Sequence, residues 1–108
     1  MESVSQYQII LVNLDPTIGS EIKKTRPCLI ISPNEMNKYL QTIVIAPITN
    51  SSKPYPTRVE IKHKKTKGWA VIDQIRTIDK KRIIKQLEII SEKEISKIKA
   101  IIQETFVD

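Results

Sequence analysis

Few side chains in this sequence can do chemistry. There is one histidine, His63, and one cysteine, Cys28. A histidine pair, the usual route for moving protons at a ribose hydroxyl, is therefore excluded within one chain. A Ser-His-Asp triad could draw only on His63, which sits in the run KHKKTK and reads as a surface residue. A lone cysteine rules out an intramolecular disulfide framework and a cysteine-rich zinc site. Cys28 lies in the apolar run Pro27–Ile31, the setting of a small core residue. Asp15, Glu21, Asp73 and Asp79 are scattered, and no spacing brings them together as metal ligands. What is concentrated is positive charge. In KKTRPCLIIS, Lys23, Lys24 and Arg26 lead straight into Pro27 and an apolar strand. A solvated loop needs no such concentration, whereas a site for a polyanion does.

For an RNA substrate this residue set suffices. The 2′-hydroxyl can attack its own phosphate, so no outside nucleophile is needed. The protein must align the attack, stabilise charge on the phosphorane and protonate the departing 5′ oxygen. An arginine fork serves the charge. Its pKa is too high for ready proton transfer, so a nearby hydroxyl or carboxylate is expected to help. The products would be a 2′,3′-cyclic phosphate and a 5′-hydroxyl, with no metal.

The elements that must hold these residues follow from composition and pattern. The chain has 108 residues, 40% hydrophobic and 28% charged, which suits one globular domain with a modest core. The formal net charge is +6, and residues 20–90 hold fifteen bases against six acids, so the basic field belongs to the body of the domain. We read residues 1–8 as an N-terminal tail and residues 9–108 as a single domain. No signal peptide or membrane-length apolar run is visible, and a cytoplasmic location is expected. QYQIILVNL, RPCLIIS and TIVIAPIT read as buried strands. TRVEIKH alternates as a half-exposed strand, WAVIDQIRTI as a fifth strand, and DKKRIIKQLEI as a turn and a short strand. KKTKG reads as a solvated turn. NEMNKYL is a short helix with Ser32 or Asn34 as its N-cap. In SEKEISKIKAIIQETF, Ser91 and Glu94 have capping-box spacing, and Ile95, Ile98, Ile102 and Phe106 form an apolar stripe. Short strands with one terminal amphipathic helix predict a small, strongly bent β-barrel.

Several blocks carry a resemblance. LDPTIGSEIKKTRPCLIIS, residues 14–32, resembles the signature of the MazF/PemK (Kid) toxin family, a DPT-x-GSE loop followed by Arg-Pro and an apolar strand. APIT at 46–49, YPTRVEI at 55–61 and IDQIRTID at 72–79 are similar to the family's later blocks, in order. The resemblance covers roughly residues 9–105. It implies an SH3-like barrel of the CcdB/PemK plasmid-toxin fold with a C-terminal helix, assembled as a homodimer. It implies the toxin of a type II toxin–antitoxin system: a metal-independent, cofactor-free, sequence-specific endoribonuclease acting on single-stranded mRNA. It also implies an antitoxin whose disordered tail folds along the dimer and blocks the RNA groove. Residue by residue, Arg26 and Thr49 match the catalytic pair of the chromosomal branch. Ser20 and Glu21 match the loop over the substrate, and Asp73, Gln74 and Arg76 match the DQ-x-R block near the RNA. Two departures stand out. QYQ at 6–8 replaces an Arg-Gly-Asp/Glu start, and Val71 and Ser20 stand where the plasmid branch has an arginine and a histidine. The second departure favours an Arg26/Thr49 scheme over one centred on Asp73.

Each assignment has a plainer counterpart. Arg26 holds the scissile phosphate with Lys23 and Lys24 drawing in its neighbours, or it is a structural partner of Glu21 or Asp73. Thr49 donates to the phosphate, or caps the next turn. Asp73 interrupts an apolar strand and reads as orienting a loop rather than as a base. Trp69 reads as a core or subunit-interface residue before a base-stacking platform. Two other functions share the basic barrel: a non-catalytic RNA binder, and a gyrase-inhibiting toxin of the same fold. The GSE, RP and APIT blocks weigh against the last.

Overall fold

The computed structural model describes residues 3–13, 25–50, 55–62 and 66–107. Seven strands occur there: β1 (Gln8–Asn13), β2 (Thr25–Ile30), β3 (Thr42–Thr49), β4 (Arg58–Lys62), β5 (Lys67–Val71), β6 (Arg76–Asp79) and β7 (Ile83–Ile89). Two helices accompany them, α1 (Asn34–Tyr39) and α2 (Glu92–Ile102). The strands make one antiparallel sheet in the order β4-β5-β3-β2-β1-β7, with β6 also paired to β3. Among the described residues the sheet bends without closing, so the expected barrel is an open one with β4 and β7 at its ends.

Period-two alternation in wholly apolar strands buries both faces of the sheet. Ile9, Leu29, Ala46 and Ile48 point to one core, where Ile98 of α2 is fully buried. Ile10, Cys28, Ile30 and Ile45 point to the other. The Ser91–Glu94 capping box forms as its spacing predicts: the Ser91 hydroxyl accepts from the Glu94 N–H at 3.2 Å, and the Ser91 N–H donates to the Glu94 carboxylate at 3.0 Å. The apolar stripe, however, stops short of Phe106. A π-helical turn over Gln103–Val107 shifts the phase, and Phe106 is 52% exposed.

Four other expectations need correction. WAVIDQIRTI is not one strand: a 3₁₀ turn at Ile72–Gln74 separates β5 from β6. Lys67 and Gly68, expected in a turn, belong to β5. Neither Ser32 nor Asn34 caps α1; the cap position is Pro33, with no side-chain bond. Ser32 is buried instead, accepting from the Val44 N–H at 3.1 Å and bonding Asn37, while Asn34 accepts from the Gln6 N–H at 2.7 Å. The tail expected over residues 1–8 is seated in the fold from Val4 onward, which is 4% exposed.

The QYQ departure shows why that start is well held. Gln6 Nε2 donates to the Ile31 carbonyl at 2.9 Å, and Gln8 Nε2 to the Leu87 carbonyl at 3.0 Å. Tyr7 between them adopts φ 67°, a left-handed conformation natural to glycine and strained for tyrosine by about 1–2 kcal/mol. Its buried ring and two backbone bonds, to Ile30 and Ile90, hold it there.

Candidate active site

Strand register decides which polar residues meet. β2 and β3 pair as Ile30↔Ile45, Leu29↔Ala46 and Cys28↔Pro47. Arg26, on the Cys28 face of β2 by strand alternation, and Thr49 each lie two residues beyond that last pair, outside the ladder. The ladder stops at Pro47, which has no N–H to donate. Beyond it β3 turns to a new partner, pairing Ile48 with Ala70 and Thr49 with Trp69 of β5. β2 stays with β1, as in Val12↔Arg26. The strands therefore part, and a cleft of about 580 Å³ opens between them.

Arg26 and Thr49 both line this cleft, along with Thr25, Asn50, Thr66, Lys67 and Lys85. Leu11, Pro27, Ile48 and Leu87 supply its apolar wall. Arg26 is exposed and Thr49 half-buried, so both can be reached by a ligand. Three cations and no acid stand among the described lining residues. Such a wall attracts phosphate, and the volume suits a small ligand or a short piece of a strand. Lys85 and Thr66 carried no signal in the sequence, because only the pairing of β7 with β1, Leu11↔Lys85, brings Lys85 to this edge. Lys67, expected in a solvated turn, also belongs to the cleft.

The other sequence candidates divide. Ser20, Glu21, Lys23 and Lys24, like His63 and Asp15, lie outside the described residues. Asp73 and Gln74 sit in the 3₁₀ turn, away from the cleft lining. The Asp73 carboxylate accepts from the Thr57 hydroxyl at 2.8 Å and lies 3.9 Å from Arg58 Nε. Arg58 also stacks over Tyr55, 5.0 Å from its ring centroid. Asp73 thus braces the approach to β4, and its arginine partner is Arg58, not Arg26. Arg76 opens β6 opposite Ile45. Among the described residues no group of three or more His, Cys, Asp or Glu could hold a metal ion. Nor is any described helix long and apolar enough to cross a membrane.

Cys28 lies two residues from Arg26 beneath this face. Burial pushes its thiol up from 9.0 to about 12, against the opposing pull of Arg26 and Arg76. Both guanidiniums therefore act on one region of the sheet. The unfolded thiol ionises near its ordinary value while the folded one keeps its proton. The stability that this contributes is complete below about pH 9 and falls as pH rises towards 12. Melting temperatures of the wild type and Cys28→Ala, compared from about pH 8 to about pH 11, should show the wild type losing its advantage as the solution becomes alkaline. A gap constant across that range would contradict the shift. Alkylation of native Cys28 should also be far slower than that of the unfolded chain.

Residues 5–106 match the sequence pattern of the family described as PemK-like, MazF-like toxin of type II toxin–antitoxin systems. The chain belongs to this toxin family. Its curated relatives include the endoribonuclease MazF of Staphylococcus epidermidis, 38% identical over 95 residues, which cover 82% of this chain and 79% of that one. Solved structures of MazF-family proteins share the fold. An endoribonuclease from a mycobacterial species, in complex with its cognate antitoxin, superposes with a TM-score of 0.84 at 20% identity, over 97% of this chain and 96% of that one. MazF of Deinococcus radiodurans gives 0.83 at 21% identity over 100% of both chains. For this PemK/MazF chain the expected architecture, a mainly β domain with a C-terminal helix, is the family's own.

Proposed function

We propose that the cleft between the parted ends of β2 and β3 is the active site of a metal-independent endoribonuclease, the toxin of a type II toxin–antitoxin pair. One observation carries this reading. Arg26 and Thr49, from different strands, line a single cleft whose described walls hold cations and no acid. Arg26 binds the non-bridging oxygens of the scissile phosphate, and its fork stabilises the dianionic phosphorane. The 2′-oxygen forms the new P–O bond and loses its proton. The bond to the 5′ oxygen breaks, and that oxygen gains one. Thr49 donates a hydrogen bond to the phosphate. Lys67 and Lys85, with Lys23 and Lys24 of the preceding sequence, attract the flanking phosphates. Ser20 and Glu21 act from the sequence that precedes Arg26. Asp73, Gln74 and Arg76 serve RNA bound beyond the cleft.

The working unit is a cytoplasmic homodimer, and an antitoxin tail that covers the cleft silences it. The S. epidermidis relative is an endoribonuclease, and the mycobacterial structure contains a cognate antitoxin; both support the reading.

Purified protein incubated with a long single-stranded RNA in EDTA tests it. Cleavage leaving 2′,3′-cyclic phosphate and 5′-hydroxyl ends is expected. Intact RNA with a retarded band would favour a binder without catalysis, and gyrase inhibition without cleavage a different toxin. Thr49→Val removes the hydroxyl and keeps the shape. A hydrogen bond to a charged group is worth about 1.5–3 kcal/mol, so turnover should fall roughly 10- to 100-fold. Unchanged turnover would remove Thr49 from the site.

A further inference from the structure

Gly68 lies in β5, one strand over from Thr49 and opposite Ile61 of β4. A glycine inside a strand often marks a close backbone approach. Here the approach is tight. A Cβ at position 68 would stand 2.6 Å from the Thr49 carbonyl oxygen, 2.9 Å from Ile48 Cγ2 and 3.1 Å from the Thr49 carbonyl carbon. Two of these three atoms are backbone, so no rotamer change relieves the contact. Ile48 and Thr49 are cleft residues, and so are Thr66 and Lys67, the two residues before Gly68. The backbone contact at Gly68 is thus one wall of the cleft pressed against another.

We propose that Gly68 is a positioning residue for the cleavage reaction. Its missing side chain lets β5 close on β3, and that approach fixes where the Thr49 hydroxyl stands relative to Arg26. The proposal rests on the Arg26/Thr49 reading of the site. Added bulk at 68 would displace the Thr49 backbone from β5 by several tenths of an ångström or more. Displacements of about 1 Å at reacting groups lower rates about 100-fold.

The test compares cleavage of a long single-stranded RNA by the wild type, Gly68→Ala, Thr49→Val and the double variant. Ile61→Val, directly opposite Gly68, serves as a control for loss of strand stability alone. Gly68→Ala should lower kcat about 10- to 100-fold with KM changed less than about threefold. In the Thr49→Val background the same substitution should change kcat less than about threefold, because the group that it misplaces is already gone. The Ile61→Val control should keep wild-type kcat. The inference is overturned by a Gly68→Ala enzyme with wild-type kcat, by an equal loss in both backgrounds, or by an equal loss in Ile61→Val. It is also overturned if Gly68→Ala fails to fold by circular dichroism, since packing would then account for the glycine. A wild type that cuts no RNA would instead defeat the active-site reading itself, a distinguishable result.

Discussion

Arg26→Ala is expected to lower RNA cleavage about a thousandfold while leaving the fold intact. Removing one preorganised donor from a developing oxyanion typically lowers rates about 10²–10³-fold, and an arginine on a transferring phosphoryl group contributes about 10³–10⁵. Arg26 combines both roles, since no histidine stands among the described lining residues. Its side chain is exposed, so truncation opens no cavity in the core. Arg26→Lys keeps the charge and loses the bidentate fork, and should recover only part of the rate. Single-turnover cleavage of a long RNA, with thermal melting as a control on folding, measures both. Cleavage within about threefold of wild type in the alanine variant would remove Arg26 from the chemistry. Weaker RNA binding with an unchanged chemical step would make it an anchor only.

Ile98→Ala should have the largest effect on stability. Ile98 is fully buried in α2, in one core cluster with Leu29, Ala46 and Ile61 of the sheet. Ile95, Ile101 and Ile102 are only partly buried, so this one side chain is the centre of the helix's attachment. Truncating a buried isoleucine to alanine costs about 2–5 kcal/mol, from lost transfer energy and the cavity left behind. The urea midpoint should fall accordingly with little change in slope. A loss under about 1 kcal/mol would mean that α2 is held elsewhere. Cleavage per folded molecule should persist, because α2 contributes nothing to the cleft lining.

The elements with one dominant physical signal were legible. TIVIAPIT is β3 residue for residue, because a continuous β-branched run between turn residues has few alternatives. The Ser91–Glu94 cap fixed the start of α2 for a similar reason: both partners are local. The extent of that helix was less legible, since nothing in IIQETF announces the π turn that exposes Phe106. WAVIDQIRTI shows how tertiary demand overrides pattern. β5 pairs with the far end of β3 at Ile48 and Thr49, whereas β6 pairs with its near end at Thr42–Ile45. One straight strand cannot serve both, and the chain turns at the polar pair Asp73–Gln74.

The sequence by itself determined the family, the basic field, and Arg26 and Thr49 as the residues to watch, because these depend on residue types and their order along the chain. Only the tertiary structure decided that the two share a cleft, that Lys67 and Lys85 join them, and that Asp73 belongs to Arg58. Strand register and the break in pairing at Pro47 set those neighbours. Both are contacts between residues far apart in the chain, and no local spacing encodes them.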